Sequence, residues 1–200
     1  MPDTAAAQAA EHASNPAEAA DIQATAKLAE HRDDPTVKSL GKLSELGDQP
    51  PLFTLGALVL GFGLLSRSGR EIEAGARMLA AEALATQLKS MVKHRFARTR
   101  PFKMLDDGEY RAEADAPEGK DEQSFPSGHT AGAVAVAGAL TPVYPKAAVP
   151  LFGVAAAVAA VQPVRGAHYV VDVLAGAAVG GVSALAVNAA ARELRSLLRR

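Results

Sequence analysis

Ser124-Phe125-Pro126-Ser127-Gly128-His129-Thr130 joins a strongly charged segment to an uncharged apolar run, Ala131 to Leu140. Pro126 favours extended backbone before it and fixes φ at the start of the next element. Ser127 is a good N-cap, so the N–H groups of Gly128, His129 and Thr130 fall in a first helical turn without intrahelical acceptors. Such a helix end attracts anions, phosphate above all, and Gly128 lets a ligand come close to the backbone. His129 then stands where it can give a proton to whatever is bound. Read alone, the stretch is a phosphate site with an acid beside it; a Ser-capped helix with an incidental His fits the same letters.

Around this stretch the chain has 200 residues, enough for one domain with a real core. A formal net charge of -1 gives no case for nucleic acid as a partner. With no cysteine, disulfides and thiolate metal sites are excluded and the redox compartment stays open. The N-terminus has no basic segment followed by an apolar one, as a secretory leader requires. The mean hydropathy of +0.05 reads as soluble, but the average conceals the pattern. Charge gathers in residues 1–50, in 92–125 and in the last ten, with long uncharged runs between.

Residues 1–36 are Ala-rich and polar and read as a weakly helical or flexible tail, since little bulk is present to bury. In 37–47, Val37, Leu40, Leu43 and Leu46 recur at helical spacing, as in a short amphipathic helix on a membrane surface or on the domain. The domain proper, 48–192, opens with the apolar Leu52–Leu65 and a basic turn at 66–70. Ala74–Met91 carries Arg77, Glu82, Gln87 and Lys89; those groups must face the interior if the segment crosses a bilayer, and otherwise it is a soluble helix. Three apolar runs complete it, Gly128–Tyr144, Ala147–Val161 and Val170–Ala191, before a basic end at 193–200. A bilayer core of about 30 Å needs roughly 20 helical residues, which these runs reach with their flanks. Their Ala, Gly and Val content allows close helix contact in a membrane. The predicted fold is all-α: an integral-membrane helical bundle of about five spans with a short interfacial helix before it. The basic block Lys93–Lys103 precedes an acidic one, Asp106–Glu122, which is expected to lie over it when no anion is bound.

A second informative stretch is Arg165-Gly166-Ala167-His168-Tyr169-Val170-Val171-Asp172. Four residues apart, His168 and Asp172 share a helix face. A carboxylate there fixes the imidazole tautomer and leaves the other ring nitrogen free to attack. A His–Asp pair capping a helix, or a metal held by His129, His168 and Asp172, fits the same spacing. In the third stretch Lys93 and Arg100-Pro101 are separated by six residues, two cations able to hold different oxygens of one phosphoryl group.

Lys-x6-Arg-Pro, then Pro-Ser-Gly-His, then His-x3-Asp, in that order, resembles the type 2 phosphatidic acid phosphatase (PAP2) superfamily, which includes the vanadium haloperoxidases. The resemblance covers roughly residues 50–190. It implies a phosphatase without metal or other cofactor, acting through a phosphohistidine. Lys93 and Arg100 then bind phosphoryl oxygens, and Ser127 with the Gly128 backbone completes the cradle. His129 protonates the leaving oxygen, His168 attacks phosphorus, and Asp172 orients His168. One departure stands out: Gln162 occupies the place of an Arg in the third motif, and Arg165, about one turn on, is expected to reach the same point.

The implied partners are the bilayer and a lipid phosphate or diphosphate; the oligomeric state is open. Acids outnumber bases in residues 1–50, whereas Arg192, Arg195, Arg199 and Arg200 crowd the other end. The positive-inside rule therefore predicts a multi-pass inner-membrane protein with its C-terminus cytoplasmic and its site on the external face. A phosphotransferase on the same residues, or a lipid-phosphate-binding protein weakened by Gln162, are the alternative readings.

Overall fold

The computed structural model describes residues 2–198. Its helices are α1 (Pro2–Glu11), α2 (Pro16–Ala29), α3 (Pro35–Ser44), α4 (Gln49–Ser66), α5 (Gly69–Lys93), α6 (Pro101–Asp107), α7 (Gly128–Leu140), α8 (Ala148–Val164) and α9 (Val170–Leu198). Two short strands, β1 (Ala97–Arg98) and β2 (Ala112–Glu113), pair antiparallel in the long α5–α7 connection. Proline in the first turn opens α2, α3, α4 and α6, where its missing N–H costs nothing.

Helices α4, α5, α7, α8 and α9 form the bundle, and α7 lies at its centre in contact with the other four. The N-terminal ends of α4, α7 and α9 and the C-terminal ends of α5 and α8 gather at one end, where the polar residues are. Contact between α7 and α9 is backbone to backbone. A Cβ at Gly176 would lie 2.5 Å from the Ser127 carbonyl oxygen, and one at Gly180 would lie 2.4 Å from that of Ala131. Gly176→Ala is therefore expected to push the two helices apart and cost about 1–3 kcal/mol. Thermal unfolding in detergent measures this, and an unchanged midpoint would contradict the packing.

The molecule is an all-α integral-membrane bundle. Among the described residues, three stretches are long and apolar enough to cross a bilayer on their own: Gln49–Ser66, Pro145–Val164 and Val170–Leu198. Leu58, Leu65 and Leu185 stand exposed on α4 and α9, the outward apolar surface that lipid requires. The expected five spans correspond to the five bundled helices, but α7 is only about 20 Å long and α5 is too charged to qualify by composition. On α5, Arg77, Glu82 and Lys89 are buried as expected, whereas Gln87 is exposed. Arg77 binds Glu73 at 2.7 Å and Asn188 of α9 at 2.6 Å.

One segment departs from the expected organisation. Residues 2–29, anticipated as a flexible tail, form α1 and α2, and Ala6, Ala9, Ile22 and Ala26 bury against Met104 and Tyr169 at the polar end of the bundle. Alanine faces pack closely without bulky residues, so this core leaves little hydrophobic periodicity. The 37–47 segment is α3 followed by a 3₁₀ turn, Glu45–Gly47. It packs through Gly41, Ser44 and Gly47 and leaves Leu40, Leu43 and Leu46 exposed. The basic 193–198 end continues α9; Arg199 and Arg200 lie outside the described residues.

Candidate active site

The α5–α7 connection brings the two expected cations together. The Lys93 Nζ donates to the carbonyl of Gln123 at 2.5 Å, and the Arg100 Nη2 donates to the same oxygen at 3.3 Å. Arg100 also donates from Nη1 to the Ala167 carbonyl at 3.0 Å and from Nε to that of Lys120 at 3.0 Å. Burial pulls the Arg100 pKa below its ordinary value, with Asp172 opposing. The acidic block covers this region differently from expectation. Its carboxylates go elsewhere, Glu122 and Asp115 to Arg111 and Asp106 to Arg32, and backbone carbonyls hold Arg100.

His168 lies in the turn between α8 and α9 and is almost completely buried. Its Nδ1 is 2.7 Å from the Ser124 carbonyl. A carbonyl only accepts, so Nδ1 carries the proton and Nε2 holds the free lone pair. Burial pulls the ring pKa down to about 4; Asp172 opposes the shift, and Arg100 and Lys93 add to it.

Direct orientation of His168 by Asp172 needs correction. The nearest carboxylate oxygen is 3.8 Å from Nδ1, too far for a hydrogen bond. Asp172 instead accepts from the Ser124 Oγ at 2.6 Å, the Tyr169 N–H at 2.8 Å and Arg98 Nη1 at 2.6 Å. Ser124 therefore stands between the two, with its hydroxyl on Asp172 and its carbonyl on His168. The bond to Tyr169 N–H closes the first turn of α9, the back-reach of a capping box.

Arg98 links this region to the N-terminal helices. Its other nitrogen, Nη2, binds Asp21 of α2 at 2.8 Å, and its guanidinium lies 4.0 Å from the Tyr169 ring centroid. Asp21 also accepts from the Val171 N–H at 3.1 Å, and Thr25 Oγ1 accepts from the Val170 N–H at 3.3 Å. The N-terminal end of α9 is thus capped by side chains of α2, nearly 150 residues away in the chain. Neither Asp21 nor Thr25 was legible as a site residue, because nothing local in a polar, Ala-rich helix marks them. Arg98 was visible only as one charge in the basic block.

At the head of α7 the quoted stretch folds as its letters suggest. Ser127 is buried and caps the helix, its Oγ accepting from Thr130 N–H at 3.4 Å and Thr130 Oγ1 at 3.0 Å. The Ser127 N–H in turn donates to the Asp172 carbonyl at 2.9 Å, which locks α7 to α9. The Phe125–Pro126 bond is cis. His129 Nε2 lies 3.3 Å from Glu45 Oε2, and Arg165 Nη1 lies 2.5 Å from Glu45 Oε1. Burial pushes the Glu45 carboxyl up, but Arg165 and His129 outweigh it and hold its pKa below the usual range.

Arg165 and Gln162 both reach Ser44. The guanidinium donates to Ser44 Oγ at 3.2 Å and the amide donates to it at 3.3 Å. Arg165 also donates to the Gly41 carbonyl at 2.9 Å. Its charge is therefore met by Glu45, which sits between it and His129. Among the described residues, Glu45, Asp48 and His129 offer ligand atoms within 4.8 Å of one another and could hold a metal ion. The trio His129, His168 and Asp172 does not gather this way.

The PAP2 superfamily model matches residues 74–195. Among curated proteins none matches the sequence. The crystal structure of the first transmembrane PAP2 type phosphatidylglycerolphosphate phosphatase from Bacillus subtilis is similar over 96% of each chain, with a TM-score of 0.67 at 19% identity. That of Aquifex aeolicus LpxE is similar over 83% of this chain and 93% of its own, with a TM-score of 0.60 at 22% identity. At these identities the likeness is one of fold.

Proposed function

The chain belongs to the PAP2 superfamily, and from that premise we propose that it hydrolyses the phosphate or diphosphate of a membrane lipid through a phosphohistidine on His168. The observation that carries this reading is the state of His168. Its Nδ1 proton is committed to Ser124 and burial keeps the ring neutral, so Nε2 is left as a nucleophile, with Arg100 and Lys93 near enough to act on the ring's charge.

Nε2 attacks phosphorus while the bond to the leaving oxygen breaks, and His129 gives that oxygen a proton. Water then attacks the phosphorus with His129 taking its proton, which releases phosphate and restores neutral His168. Lys93 and Arg100 neutralise charge growing on the phosphoryl oxygens, and the first N–H groups of α7 add their dipoles. Arg165 joins them when the anion takes the place of the Glu45 carboxylate beside it. None of these steps calls on a metal. Ser124 and Asp172 position His168, Asp172 acting through Ser124.

A lipid substrate fits the surroundings. An apolar cavity of about 500 Å³, lined by Leu40, Leu43, Leu46, Leu55, Val154 and Val158, also includes Ser44 and Gly47. Gly47 faces the His129 carbonyl, so acyl chains there place their headgroup at α7. With the C-terminus cytoplasmic by the charge argument, this end faces outward from an inner membrane. The test is phosphate release from phosphatidate, phosphatidylglycerophosphate, polyprenyl diphosphate and lipid A, with and without EDTA. Activity on at least one, retained in EDTA, is expected; silence on all four, or loss in EDTA, contradicts the proposal.

The His168 environment also gives a pH expectation. Between about 6.5, the ordinary value, and about 4 the unfolded chain binds a proton that the folded ring refuses. Stability therefore falls as pH drops through that window. Imidazole NMR in detergent should find this ring still neutral at about pH 5.5. Half-protonation near the ordinary value would contradict the burial.

A further inference from the structure

Lys89 lies one turn before Lys93 on α5, outside the three motifs, and is only 8% exposed. Its Nζ stands 3.2 Å from the position a Cβ on Gly128 would occupy, with Cδ at 3.5 Å and Cε at 3.8 Å. The end of the side chain therefore rests on the first residue of α7. Among the described residues no hydrogen-bond or ion-pair partner holds this ammonium. Glu82, two turns earlier on α5, supplies a longer-range opposite charge, and its Oε2 is itself buried without a partner. The stem is buried while Nζ keeps some access to solvent, and an ammonium held there without a carboxylate is costly. Here it is aimed at a helix end whose first N–H groups also lack intrahelical acceptors. Ammonium and N–H donors together suit one anion.

We propose that Lys89 is a further cation of the phosphoryl cradle, binding the substrate phosphate together with Lys93 and Arg100. It supplies a charge on the α5 side, where Gln162 supplies none: the Gln162 amide nitrogen is spent on Ser44 Oγ and the Val158 carbonyl. An added cation suits a terminal phosphoryl group with two negative charges, the headgroup of a monoester or diphosphate. The inference rests on the phosphatase reading of the same site.

Orthovanadate, a phosphate mimic, is the probe, titrated as an inhibitor of lipid-phosphate hydrolysis by the full chain in detergent. Lys89→Met should weaken inhibition about tenfold or more, and Lys89→Arg should stay within about threefold of wild type. Glu82→Gln alone should leave inhibition near wild type. The double variant Lys89→Met with Glu82→Gln removes both buried charges, which keeps the fold free of a lone carboxylate, and should still lose affinity. Wild-type inhibition in either Lys89→Met protein, or an equal loss in Glu82→Gln, overturns the role of Lys89 and leaves the phosphatase reading standing. A wild-type protein that neither hydrolyses the lipids nor binds orthovanadate overturns both.

Discussion

Arg98→Ala is expected to destabilise the protein by about 3–5 kcal/mol, the usual cost of removing one partner from a buried ion network. Its guanidinium spans Asp21 and Asp172, whose side chains are 3% and 0% exposed, so the substitution strands two carboxylates in place of one. Each has other donors: Asp172 keeps Ser124 and Tyr169 N–H, and Asp21 keeps Val171 N–H. Those neutral groups do not balance charge. Arg98→Lys should rescue little, because one ammonium cannot bridge two carboxylates held on opposite sides of a planar fork. Arg98→Ala with Asp21→Asn should recover part of the loss. Thermal unfolding of the three variants in detergent measures the effect. A midpoint for Arg98→Ala within a degree or two of wild type would show that α2 is not fastened to α9 through this residue.

His168→Ala is expected to lower turnover by about 10⁴-fold or more, as removal of a nucleophile does elsewhere. It should also abolish an acid-labile, base-stable phosphoenzyme trapped by rapid quenching. Asp172→Asn tests something different. The Asp172 carboxylate reaches His168 only through Ser124, so an amide there disturbs the ring's setting without removing the attacking nitrogen. A loss of about 10²–10³-fold is expected, with phosphoenzyme still detectable. Ser124→Ala removes the hydroxyl on Asp172 but keeps the carbonyl on His168, and should cost less than either. Phosphoenzyme surviving in His168→Ala, or a greater loss in Ser124→Ala than in Asp172→Asn, would overturn this assignment of roles.

The sequence alone determined that the protein is a helical membrane bundle in which a Ser-capped helix opens at Gly128-His129. Those features are local. Apolar runs of near-span length, a Ser before Gly-His and two cations before a proline carry their physics within a few residues of each other. The convergence of Lys93 and Arg100 on one carbonyl also comes from a short spacing. What only the tertiary structure decided are the contacts made across the chain. Asp21 and Thr25 cap α9 from α2, Ser124 mediates between His168 and Asp172, Glu45 sits between His129 and Arg165, and Lys89 lies against Gly128. A buried charge can be met by any opposite charge or donor that folding brings near, and many placements of α2 or of the 3₁₀ turn are consistent with the same letters. The Ala-rich face of α2 has no bulky stripe to announce a buried side, so its polar residues read as solvated until packing encloses them.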